Sequence, residues 1–205
     1  MPGRDEVRPL SRAELPVDTM EMARFLIGKL LVRGTPEGRT TGRIVETEAY
    51  PPGDASGHHF RGETAANRSM FLEPGRAYVY FIYGVHFMLN VSSEPARTGG
   101  GVLLRALEPV GGIDLMRARR GPVRERDLTR GPGRLAQAMA VVPELNGVDM
   151  CEEGPIWLAE APRPAGEIGV SVRIGITKEA HQLRRYFERG NPCVSGSTAH
   201  NRSDN

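Results

Sequence analysis

Cysteine, lysine and long apolar runs are all scarce in this 205-residue chain, and each scarcity excludes something. The two cysteines, Cys151 and Cys193, have no C-x-x-C partner and are too few for a disulfide framework or a zinc site. No apolar run approaches the length that crosses a membrane. The N-terminus is charged at Arg4, Asp5, Glu6 and Arg8, where a secretory signal would be apolar. A reduced, cytoplasmic setting is therefore expected, and the Asn-x-Ser triplets at Asn67, Asn90 and Asn201 then mean nothing as glycan acceptors. Net charge is scarce too. The 27 basic side chains face 25 acidic ones, leaving +2, so no basic excess stands ready to neutralise phosphates. Lysine occurs only at Lys29 and Lys178, and the other 25 basic residues are arginine. Arginine's planar fork suits phosphate and carboxylate, although coding bias produces the same count.

What is present suits one turn-rich globular domain with a real core: hydrophobic content is 39%, with Gly 25 and Pro 16. Residues 1–195 read as that domain, and 196–205, small and polar, as a flexible tail. Asp18 and Glu21 resemble a capping box, and Ala23, Leu26, Ile27 and Leu30 follow at helical spacing. Strands are expected at Thr41–Tyr50, Val102–Leu107, Ile156–Leu158, Val170–Ile176 and Arg185–Glu188, and a hairpin over Ala77–Val91. Helices are expected at Ile113–Arg120 and from Pro132, a proline at a first helical position. Without regular strand–helix alternation, these elements predict an α+β fold around a curved antiparallel or mixed sheet with flanking helices.

Strand alternation puts Ile44, Glu46, Glu48 and Tyr50 on one face. Carboxylates two residues apart on a strand lie roughly 6.5 to 7 Å apart, near the separation used by inverting glycosidases; a solvated polar face is the alternative. In the hairpin, a three-residue loop pairs Phe81 with Phe87 and Val79 with Leu89 on one apolar face. That register leaves Tyr83 at the tip beside Gly84, either folded back or placed as a wedge for a stacked base step. Arg105 interrupts an apolar strand and calls for a carboxylate partner, with Glu46 and Glu48 the candidates. Asp54, His58 and His59 lack a helical metal-binding spacing, so no metal is assigned.

Five segments resemble the 3-methyladenine (alkyladenine) DNA glycosylase family. They are ETEAY at Glu46–Tyr50, NRSMF at Asn67–Phe71, PGRAYVYFIYGVHFMLNV at Pro74–Val91, LLRALEP at Leu103–Pro109 and GPGRLAQAM at Gly131–Met139. The resemblance runs from about Leu15 to Ser195. It implies a monofunctional base-excision repair enzyme that flips alkylated or deaminated purines from duplex DNA and hydrolyses the N-glycosidic bond. By that resemblance Glu48 is the general base for the attacking water, and Arg105 helps hold the water. Tyr50, His58, Tyr80 and Asn90 form the base pocket, with His59 the other candidate histidine, and Tyr83 is the intercalating residue of a protruding hairpin.

No cofactor is implied. Damaged duplex DNA is the expected partner, with no membrane, and a monomer is expected, chromosome-associated if prokaryotic. Arg134, just inside the helix that starts at Pro132, is expected to meet the DNA backbone. Glu46 is the local candidate for a proton donor to neutral purines, or else a partner of Arg105. The chain departs from the family at Thr64, Ala65 and Ala66, where Thr-Pro-Arg is common, and at Val85, where methionine is frequent. A non-catalytic nucleic-acid module and a hydrolase of free nucleosides are the competing functions.

Overall fold

The structure, a computed structural model, describes residues 7–82, 84, 86–197 and 199–201. Among the described residues, one antiparallel sheet of eight strands curls into a half-barrel, with three α-helices packed about it, an α+β fold. The path β3-β4-β5-β2-β1-β6 comprises Ala77–Ile82, His86–Ser92, Gly101–Gly111, Gly38–Tyr50, Leu30–Thr35 and Ile156–Ala159. Strand β8 (Arg185–Glu188) pairs with the second half of β2 and with β7 (Ile168–Ser171). Of the two options left open by the sequence, antiparallel or mixed, every pairing takes the first.

Helix α1 (Thr19–Leu26) starts where Asp18 accepts the backbone N–H groups of Met20 and Glu21, both at 2.9 Å. It stops sooner than the apolar spacing suggests. The backbone becomes extended at Ile27, Gly28 at a φ of 89° carries the turn that Lys29 N–H closes on the Leu26 carbonyl at 3.1 Å, and Leu30 opens β1, a strand the periodicity had absorbed into the helix. Helix α2 (Ile113–Arg120) and helix α3 (Pro132–Ala138) begin where the sequence places them. Residues Val170–Ile176 do not form one strand. Pairing ends at Ser171, and the next residues leave the ladder for contacts at the site described below.

The 13-residue strand β2 organises the molecule. Strand β5 runs along one edge, while β1 and then β8 occupy the other. Ten consecutive residues from Thr40 to Ala49 are buried, so β2 has no solvated face. Strict alternation also fails. Register shifts around Val45 and Glu46 mark a bulge, which bends the strand and changes which side chains share a face. Ile44 packs with Ala49, Leu104 and Leu107 in the main core, whereas Val45 packs with Ala106 and Phe187 on the β8 side. Glu46 therefore does not share a face with Ile44, as simple alternation had it.

The β3–β4 ladder has the register expected from a three-residue loop: Phe81 pairs with Phe87, Val79 with Leu89 and Ile82 with His86. Val79 and Leu89 enter the main core. The opposite side chains, Tyr78, Met88 and Asn90, are also buried, so both faces are covered at the root of the hairpin. Gly84, at the turn, has a φ of 69°. Residues 83 and 85 lie outside the described residues, and so does the wedge expected at Tyr83.

The cap on α1 yields a stability prediction. Asp18→Ala leaves two N-terminal N–H groups of an eight-residue helix without their acceptor. It should destabilise the protein by about 1 kcal/mol, measured by denaturant unfolding.

Candidate active site

Glu48 and Glu46 project from β2 into a fully buried array of charge. Arg105, from the neighbouring β5, bridges them: Nε lies 2.9 Å from Glu46 and Nη1 3.1 Å from Glu48. Arg185, from β8 on the other edge, donates to Glu46 at 2.6 Å. Ser195 completes the Glu46 shell with its N–H at 2.7 Å and its hydroxyl at 2.9 Å. Burial alone would raise the Glu46 carboxyl, but Arg105 and Arg185 hold it below the ordinary glutamate value. Burial likewise opposes charge on Arg105, yet Glu48 and Glu46 hold its pKa above the ordinary arginine value. A carboxyl kept ionised in this way is unsuited to donating a proton. The geometry makes Glu46 a partner of Arg105.

Glu48 is held differently. One oxygen accepts the backbone N–H of Ile174 at 2.8 Å and the other the Tyr50 hydroxyl at 2.9 Å. Glu48 and Arg105 line a cavity of about 220 Å³. A second cavity, about 170 Å³, is lined by Tyr50, His58, Tyr78, Tyr80, Asn90 and neighbouring residues. For scale, an apolar cavity of about 150 Å³ admits benzene. The two spaces share Tyr50, Tyr80, Ile82 and Ile176 as walls.

Aromatic rings dominate the second cavity. Tyr78 and Tyr80 stack with centroids 5.4 Å apart, and His58 meets Tyr80 edge-on at 4.4 Å. The Nδ1 of His58 hydrogen-bonds the Tyr78 hydroxyl at 2.8 Å. Of the two adjacent histidines, His58 lines the cavity, whereas His59 bonds the Pro51 carbonyl at 2.8 Å away from it. Asn90 donates to the Tyr78 carbonyl at 3.2 Å, which fixes its amide at the cavity wall. Burial, followed by the neighbouring Glu48 carboxylate, pushes the Tyr50 phenol up.

Asp54 pairs with Arg173 and with Arg184, the latter at 2.8 Å, and no cluster of three His, Cys, Asp or Glu side chains occurs among the described residues. Both cysteines are free, and burial raises each thiol to about 11, far from a reactive thiolate at neutral pH. Arg134 is exposed on α3 and borders a surface depression with Arg120, Arg124, Arg130 and Asp127.

A family model for methylpurine-DNA glycosylase matches residues 13–192. The chain belongs to that family. Among its relatives is a Mesorhizobium japonicum protein, 60% identical over 92% of this chain and 90% of its own. A Paraburkholderia phytofirmans protein is 52% identical over 93% and 89%. One from Methanoculleus marisnigri is 44% identical over 87% and 94%. All three are provisionally named 3-methyladenine DNA glycosylase. This chain is thus a DNA glycosylase, an enzyme rather than a passive nucleic-acid module.

Of the residues marked in the glycosylase sequence, Glu48, Arg105, Tyr50, His58, Tyr80 and Asn90 come together around the two cavities with shared walls. Arg134 lies apart from them, and Tyr83 falls outside the described residues. Sequence reasoning missed Arg173, Arg185, Ser195 and the Ile174 N–H, all of which support the site from the C-terminal third. One signal was available: Arg173 interrupts the largely apolar run Val170–Ile176, as Arg105 does its strand, and asks for a buried acid.

Folding lowers the His58 pKa through burial, with the adjacent His59 adding to the effect. Its folded value therefore lies below the unfolded one, and the unfolded chain binds the proton first as pH falls. The neutral ring's contribution is intact above about 6.5 and erodes below it. In a proton NMR titration, the His58 ring should titrate below 6.5, and His58→Phe should flatten the loss of stability as pH falls below about 6.5.

Proposed function

We propose that this enzyme flips a damaged purine nucleotide out of duplex DNA into the Tyr50–His58–Tyr80–Asn90 cavity and hydrolyses its N-glycosidic bond with a water activated by Glu48. The observation that carries this reading is the shared wall: a buried carboxylate lines a cavity that has Tyr50, Tyr80, Ile82 and Ile176 in common with an aromatic slot. A purine stacked on Tyr50 and Tyr80 would bring its glycosidic bond toward that boundary. Stacking of this kind is worth roughly 1–3 kcal/mol per base and offsets part of the cost of extrusion.

In the reaction, Glu48 takes a proton from water as the water oxygen bonds to C1′. The C1′–N bond breaks with its electron pair passing to the purine. A base that carries a positive charge, such as 3-methyladenine, leaves neutral without a separate acid. Arg105 orients Glu48 and the water beside it. Asn90 stands where the edge of a base would lie and discriminates by its exocyclic groups. Tyr83, between β3 and β4 in the chain, is assigned the place left in the DNA stack. Arg134 meets the phosphate backbone, and the enzyme acts as a monomer. A nucleoside hydrolase is the second reading of paired carboxylates, but Glu46 is committed to Arg105 and Arg185 and leaves Glu48 as the available base.

Glu48→Gln should retain binding to a duplex carrying 3-methyladenine or hypoxanthine while base release in single-turnover assays falls by about 10² or more. Undiminished excision by this variant would remove Glu48 from the chemistry. Arg134→Ala should weaken binding to lesion and plain duplex alike and reduce the slope of log affinity against log salt by about one. An unchanged slope would place Arg134 off the DNA.

A further inference from the structure

Tyr50 is a wall of both cavities, and a buried arginine stands behind it. The guanidinium carbon of Arg173 lies 4.6 Å from the centroid of the Tyr50 ring, and its side chain has no solvent exposure. Arg173 lines neither cavity, so the phenol ring separates it from the space a base would occupy. Its Nη1 donates to the Ala49 carbonyl at 2.9 Å and to the Asp54 carboxylate. Among the described residues, its Nε and Nη2 are buried with no hydrogen-bond partner. Burying two guanidinium donors unsatisfied costs free energy that a purely structural ion pair does not require.

The neutralising acid is also shared. Asp54 serves Arg184 at 2.8 Å as well as Arg173, and it accepts from the N–H of Ser56, a residue of the cavity wall. Arg184 has a second partner in Glu179 at 2.8 Å. Positive charge thus backs Tyr50 at the ring face, and its direct counter-charge, Asp54, is divided between Arg173 and Arg184.

A tyrosine face attracts cations through its quadrupole. With a guanidinium already on the rear face, a second cation on the front face meets Coulomb repulsion across the ring. A neutral purine, held there by dispersion, does not. We propose that Arg173 is a specificity-determining residue that reduces the advantage of cationic alkylpurines over neutral purines at Tyr50. It rests on the base-pocket reading above and adds what tunes that pocket.

The test is the ratio of single-turnover excision rates on duplexes carrying 7-methylguanine, a cation, and hypoxanthine, a neutral base. Arg173→Gln removes the charge but can still donate to Ala49, and it should shift the ratio about fivefold toward 7-methylguanine, within the range of one cation–π contact. Arg173→Lys should keep the wild-type ratio. Asp54→Asn keeps an acceptor for Ser56 but removes the counter-charge, and it should move the ratio the opposite way. Should Arg173→Gln fail to fold, the direction of the Asp54→Asn shift decides. Equal loss on both substrates in every variant, with no change of ratio, overturns the proposal and makes Arg173 a support of the fold alone. A wild type that excises neither base is a different outcome: it overturns the base-pocket reading and this proposal with it.

Discussion

A buried row of alternating charge, Glu48–Arg105–Glu46–Arg185, constrains everything built around it. An ion taken out of water without a partner costs several kcal/mol (order of magnitude), so each member must be placed where the next can reach it. The two acids come from β2, Arg105 from β5 and Arg185 from β8. The row closes only if β2 lies between β5 and β8, which is the order of the sheet. Arg185 extends it further, donating to the carbonyl oxygens of Ser195 and His200 and to the Asn201 side chain. The strand ladder and the C-terminal segment are thereby tied to the same acid that orients Arg105. Buried ion pairs of this sort add little net stability. What this one supplies is geometry, a carboxylate at a set place beside an aromatic slot.

The arginine-rich, nearly neutral composition looks different in that light. Arg33, Arg43, Arg105, Arg173 and Arg185 are buried among the described residues and are engaged inside the protein. Arg43 pairs with Glu108 and Glu188, and Arg33 donates to the Ala140 and Pro155 carbonyls. These residues explain part of the preference for arginine over lysine: a planar fork satisfies two or three acceptors at once, which an ammonium does with less geometric control. Other arginines gather locally, as around the depression bordered by Arg120, Arg124, Arg130 and Arg134. A polyanion responds to such a local field more than to the total charge.

Much of the fold was legible in the chain. The hairpin register follows from Phe81, Val79 and their partners, because a one-residue slip would mix polar and apolar side chains on both faces. Helix α2 and strand β8 match their expected bounds, since Gly112 and Gly121 flank the one and a short apolar-aromatic run defines the other. The errors share a cause. The helix expected to reach Leu30 gives way to a turn at Ile27–Gly28, and the strand expected to reach Ile176 was cut at Ser171, because Arg173 and Ile174 are drawn to Asp54 and Glu48. The bulge at Val45–Glu46 likewise answers to β5 and β8, not to any local preference of β2.

Sequence by itself determined the family, the α+β class and the residue types the chemistry draws on, because those signals are local: motif spacing, periodicity and turn residues. It also determined that Arg105 needs an acid, since no apolar strand holds a guanidinium alone. Tertiary structure alone decided how each acid is held. Glu46 and Glu48 are two residues apart and chemically identical, yet one is enclosed by two arginines and Ser195 while the other opens onto a cavity. It likewise put His58, not His59, at the cavity wall, and it brought Arg173 behind Tyr50 from 123 positions away. These are properties of long-range packing and of the electrostatics that burial strengthens, and no window along the chain contains them.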